Sequence, residues 1–73
     1  MKAILKFDLP DDQDEFYMAT NGRNYNLILY NLSQEMRSIV KYDESKSEDY
    51  RQAVEDMRDK LYQLVNEYAV DLD

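Results

Sequence analysis

The chain has no cysteine, no histidine and no tryptophan, and it carries one glycine and one proline in 73 residues. Without cysteine no disulfide can staple so small a domain, and without cysteine or histidine the common zinc ligand sets cannot be assembled. Histidine is also the usual general acid or base near neutral pH. A single glycine leaves no phosphate-cradling loop and no strained turn for an oxyanion hole. No apolar run approaches the ~20 residues that span a bilayer, and the opening MKAILKF is too short for the apolar part of an export signal. These absences set the expectation of a protein that is not an enzyme, holds no cofactor or metal, avoids membranes and suits a reducing cytosol.

Basic residues are scarce as well. Nine stand against sixteen acidic ones, giving a formal charge of −7 and a pI near 4.4. That average field repels nucleic acid. It serves solubility, or it attracts a partner with a basic surface.

The chain is long enough for one small domain, residues 1–73, with a thin core. Residues 2–9 alternate, with Ala3, Leu5, Phe7 and Leu9 against Lys2, Ile4, Lys6 and Asp8, which predicts a short β-strand. Such a strand needs a partner, either residues 70–72, a symmetry-related copy or another protein. Pro10 ends it and suits the first turn of a helix, where Asp11, Asp12, Asp14 and Glu15 meet the positive end of the helix dipole. The spacing of these acids does not fit a calcium loop. Leu9, Phe16 and Ala19 form the inward face of this short acidic helix, and Asn21 with Gly22 ends it, Gly22 serving as a left-handed cap.

Two longer amphipathic stretches follow. Over residues 24–41, Tyr25, Ile28, Leu29, Leu32, Met36, Ile39 and Val40 recur at helical spacing, and over 50–68 so do Tyr50, Val54, Met57, Leu61, Leu64, Val65 and Tyr68. Stripes of equal length predict a long antiparallel helical hairpin, joined by the polar loop 43–46. Ser45, paired with Glu48 as a capping box, and Ser47 compete as N-cap of the last helix. The fold expected is mainly α: a short N-terminal strand, a short acidic helix, then the hairpin. Val70 and Leu72 tuck back onto the core. Met18, Leu27 and Tyr30 fall outside the stripes and would meet the strand or a second copy, and a homodimer is expected.

Chemistry is sparse. Ser38 and Lys41 match S-x-x-K, yet on an ordinary helical turn without the remaining machinery of a serine acyl-transfer enzyme. Tyr30, Gln34, Arg37 and Lys41 form the most concentrated basic, hydrogen-bonding patch, suited to a phosphorylated nucleotide. Equally, Arg37 and Lys41 stand where cations stabilise a helix C-terminus. Tyr17 and Tyr62 count as outward-facing, and with Glu55, Asp56 and Asp59 they make a candidate surface for a basic protein partner.

Residues 7–16, F-D-L-P-D-D-Q-D-E-F, and residues 36–42, M-R-S-I-V-K-Y, resemble a family of short acidic phage-encoded proteins. In that family an F-x-L-P acidic start precedes a helix, an L-R-S-x-x-K-Y element follows, and an amphipathic helix closes the chain. Met36 stands where the family has leucine. The resemblance covers nearly the full length and implies a phage origin, expression in the host bacterial cytoplasm and no assigned enzyme activity. It transfers no active site. The function expected is a non-catalytic accessory protein that binds and inhibits a host bacterial protein with a basic surface. The alternatives are an oligomeric sponge for a phosphorylated signalling nucleotide and a small virion component.

Overall fold

A computed structural model describes residues 1–72 and shows three helices, α1 (Gln13–Thr20), α2 (Gly22–Tyr42) and α3 (Glu48–Glu67). Among the described residues there is no strand, which corrects the expectation for residues 2–9. Alternation alone does not hold a strand, because its N–H and C=O groups require a second one. Instead Phe7 packs edge-on against Phe16 of α1, ring centroids 5.6 Å apart. Asp8 and Asp12 close the turn between them: the Asp8 N–H donates to the Asp12 carboxylate at 2.9 Å, and the Asp12 N–H donates to the Asp8 carbonyl at 2.7 Å.

Pro10 lies in that turn and α1 starts three residues later, with Asp14 and Glu15 in its first turn. Gly22 is no left-handed cap. It has no positive φ and opens α2. The bend between α1 and α2 is made by Asn21, whose backbone and side-chain N–H groups both donate to the Tyr17 carbonyl, at 3.1 and 2.9 Å.

Ser47 caps α3, its hydroxyl accepting from the Tyr50 N–H at 3.1 Å. Ser45 is used differently, its hydroxyl and backbone N–H both donating to the Asp43 carboxylate. The Ser45 hydroxyl bond holds Asp43 below its ordinary 3.8; slight desolvation opposes it, and the Ser45 N–H, Lys46 and Arg51 add to it. A depressed carboxylate favours the folded loop above that ordinary value, and the contribution is lost as the pH falls through the lowered one.

At its far end α3 closes in a Schellman motif. The Val70 N–H donates to the Val65 carbonyl at 3.0 Å and the Ala69 N–H to the Asn66 carbonyl at 3.2 Å. The turn places Ala69 at φ 53°, the left-handed region that glycine adopts without penalty. Ala69→Gly should therefore stabilise the protein by about 1 kcal/mol and raise the melting temperature by roughly 4–8 °C in circular dichroism at 222 nm.

The hairpin of α2 and α3 is antiparallel. The Arg51 guanidinium donates to the Val40 carbonyl at 2.8 Å, and Arg58 Nε donates to the Ser33 carbonyl at 3.2 Å. Seven residues forward on α3 thus match seven back on α2. Ten of the less exposed residues follow the same rule: Arg51, Val54, Arg58, Leu61 and Val65 on α3, and Asn26, Leu29, Ser33, Met36 and Val40 on α2, each at steps of three and four.

This seam matches the predicted apolar stripes in part, through Leu29, Met36, Val40, Val54, Leu61 and Val65. Four of its ten positions are polar, and at its centre Ser33 is fully buried, its hydroxyl 2.6 Å from that of Tyr62. The Asn26 side-chain oxygen is buried there without a hydrogen-bond donor. At 3.6 residues per turn, exposed apolar residues lie roughly 80–120° around each helix from the seam. Ile28, Leu32 and Met57 are 62%, 51% and 63% exposed. Because the helices are antiparallel, the two displaced stripes emerge on the same side.

Candidate functional site

Three surfaces of the hairpin differ in chemistry, and the seam fixes where each lies. On the side of the displaced stripes runs an apolar groove. Its largest depression, 340 Å³, is lined by Leu32, Met36 and Ile39 of α2 and by Tyr50, Val54 and Met57 of α3. A second shares Leu32, Met36 and Met57 with it and continues to Leu61 and Leu64. A third carries the groove past Leu61 and Leu64 to Val65, Tyr68 and Val70. The groove follows the length of the hairpin, and the charged residues lining it are Glu35 and Lys60.

The opposite side is polar and of mixed sign. Arg37, Lys41 and Arg58 surround a depression of 80 Å³ together with Glu55 and Asp59. Thus the two sets of residues singled out from sequence, the basic patch and part of the acidic partner surface, meet around one small hollow. Two carboxylates line the hollow beside three cations, so its charge is mixed rather than purely basic. Tyr30 and Gln34 are half-buried.

Tyr62 is not the outward residue that helical counting predicts. Its hydroxyl is bound to Ser33, and the Arg58 guanidinium lies 5.1 Å from its ring centroid. A stacked, half-buried tyrosine of this kind holds the hairpin together, and Ser33 across the seam gives the reason. Tyr17 on α1 is exposed as expected.

The third surface is the outer edge of α3, turned away from α2. Asp49, Gln52, Asp56, Asp59, Gln63 and Glu67 recur there at steps of three or four. Gln52 donates to Asp56 at 3.0 Å and Gln63 to Glu67 at 3.2 Å, which orders the carboxylates along the edge. The arginines of α3 are committed elsewhere. Arg51 and Arg58 reach across to α2 carbonyls, and Lys60 borders the groove. Sequence reading found Asp56 and Asp59 here but missed the edge as a whole, because it emerges only once the seam gives Arg51 and Arg58 their inward direction.

Among the described residues, no acidic group is arranged to hold a metal ion, and no helix is long and apolar enough to cross a membrane. Comparison with known proteins gives no match among family models, curated sequences or solved structures.

Proposed function

We propose that this protein is a non-catalytic binding protein of phage origin that inhibits a host bacterial protein in the host cytoplasm, engaging a basic surface of its target through the acidic outer edge of α3. The observation that carries this reading is the separation of charge on α3. Its arginines are drawn into the seam, and Asp49, Asp56, Asp59 and Glu67 are left on the outside as a predominantly acidic stripe, with Lys60 beside it. A stripe with a net excess of one sign on a rigid helix speeds encounter with an oppositely charged surface and sets its orientation. The phage origin and the host target rest on the sequence resemblance at residues 7–16 and 36–42, and exposed Tyr17 is a further contact for the same target.

The test is affinity capture from lysate of the bacterial host, with the wild-type chain beside Asp56→Lys/Asp59→Lys. One host protein should be retained by the wild type, released by added salt, and held roughly tenfold or more weakly by the variant, whose helicity stays native. The purified chain should then inhibit that protein's activity. A captured protein that the variant binds equally well refutes the electrostatic reading, and recovery of the chain in purified phage particles would assign it to the virion instead.

A further inference from the structure

The apolar groove opposite the polar hollow is unfilled by the chain itself, and we propose that its occupant is a second copy, the two hairpins packing groove to groove about a two-fold axis into a four-helix bundle. This inference is independent of the host-binding reading, because it concerns a different side of the molecule.

Four observations identify the occupant. The first is area. The chain exposes 6477 Å², roughly 1,700 Å² more than a compact protein of its mass. Its radius of gyration is 17.1 Å, where a compact domain of this length measures about 11 Å. Residues 1–9 are largely exposed, and along the groove Leu32, Tyr50, Met57, Leu64 and Tyr68 are between 39% and 76% exposed. An excess of this order matches what each partner of an obligate dimer buries, about 1,000–2,500 Å².

The second is shape. A groove that follows two antiparallel helices of 21 and 20 residues is matched in length by an identical hairpin, and a two-fold axis covers both grooves at once. The third is lining. Leu32, Met36, Met57, Leu61 and Leu64 are residues of a bundle core, and within one chain Leu72 is the buried apolar residue among those described. Pairing supplies the core the single hairpin lacks.

The fourth is charge. At −7 overall, two copies repel through their average field, most of all at the acidic edge of α3, and the groove carries one acid and one base, Glu35 and Lys60. One charge of each sign is what a self-complementary face requires, since a two-fold axis can set Glu35 of one copy toward Lys60 of the other. A basic target drawn by charge goes to the outer edge of α3 instead. The groove is therefore left to a partner selected by apolar area.

The test begins with the mass of the wild-type protein by sedimentation equilibrium between about 1 and 100 µM. Twice the chain mass of 8.8 kDa is expected, with a melting temperature that rises with concentration. Met57→Glu, at the midpoint of α3 in the groove, should abolish the dimer. Should that variant fail to fold, a nitroxide label settles the face, since the cysteine-free chain accepts one at a single introduced cysteine. Labels on Met57→Cys should lie closer together across the dimer than labels on Asp56→Cys, at the same height on the outer edge. A wild-type mass of 8.8 kDa throughout overturns the proposal. A dimer that Met57→Glu leaves intact, or a longer separation from position 57 than from position 56, also overturns it.

Discussion

Replacing Ser33 by leucine should destabilise the protein by about 3 kcal/mol or more, enough to lower its melting temperature by roughly 12–24 °C. Ser33 is fully buried where α2 and α3 meet. Its carbonyl accepts from Arg58 at 3.2 Å and its hydroxyl is 2.6 Å from the Tyr62 hydroxyl. Leucine adds two heavy atoms to a fully buried site, so the helices must separate. Separation lengthens the Arg58 bond, and the Tyr62 hydroxyl loses its partner while still half-buried. Overpacking and an orphaned polar group each cost about 1–3 kcal/mol.

Two milder substitutions divide this effect. Ser33→Ala removes the hydroxyl without adding bulk and should cost about 1–2 kcal/mol. Tyr62→Phe should cost less, because a serine hydroxyl within a helix can turn to the carbonyl one turn back. Chemical denaturation followed at 222 nm measures all three. An order in which Ser33→Leu is the mildest would remove Ser33 as the contact that sets the interhelical distance.

Ser33 also shows where sequence reading succeeds and where it stops. Helical periodicity located both long helices to within a few residues, and the Ser47 cap was one of two candidates, because these depend on neighbours in the chain. The seam depends on another element, and there the hydrophobic stripe is a misleading guide. A stripe shows which way a helix would bury apolar surface, and here that direction is divided between α2 and the open groove. Arg51, Arg58, Asn26 and Ser33 sit in the seam although each reads as a surface residue. The long side chains of the arginines reach α2 carbonyls, and the small Ser33 permits the close approach that makes those bonds possible.

The N-terminal segment fails for a related reason. Its alternation is real, but a strand is a property of two segments, and the described residues offer it no second one. Gly22 misled through a statistical habit of helix ends, where a single kinked passage from α1 to α2 needed no left-handed residue. As for the candidate residues, Asp56 was legible as an exposed acid from helical counting, and Tyr62 was not legible as a half-buried one. Its place depends on a hydroxyl on the other helix, 29 residues away in the chain.

Leu72→Ala should cost about 2–3 kcal/mol, an effect large for a residue so near the end of the chain. Beyond α3 the chain turns through the left-handed Ala69. Val70 then borders the groove with Leu61 and Leu64, and Leu72 is 5% exposed, the most buried apolar side chain among the described residues. Truncation to alanine removes three carbons from water-excluded surroundings, at about 0.8 kcal/mol for each buried methylene, with a cavity contribution added. Because the segment is terminal, part of the loss is met by the tail detaching, which keeps the expected cost at the low end for a buried leucine. A domain of this size has roughly 4–11 kcal/mol of total stability, so the change is a large fraction of it. Detachment predicts a second signature. Protease cleavage after residue 68 should accelerate in the variant under conditions where the hairpin remains folded, whereas a variant that unfolds only globally would show cleavage at both ends of the hairpin together. Val70→Ala, at a half-exposed position on the same segment, should cost less than 1 kcal/mol and supplies the control. Equal effects at the two positions would show that Leu72 is not the anchor of the tail.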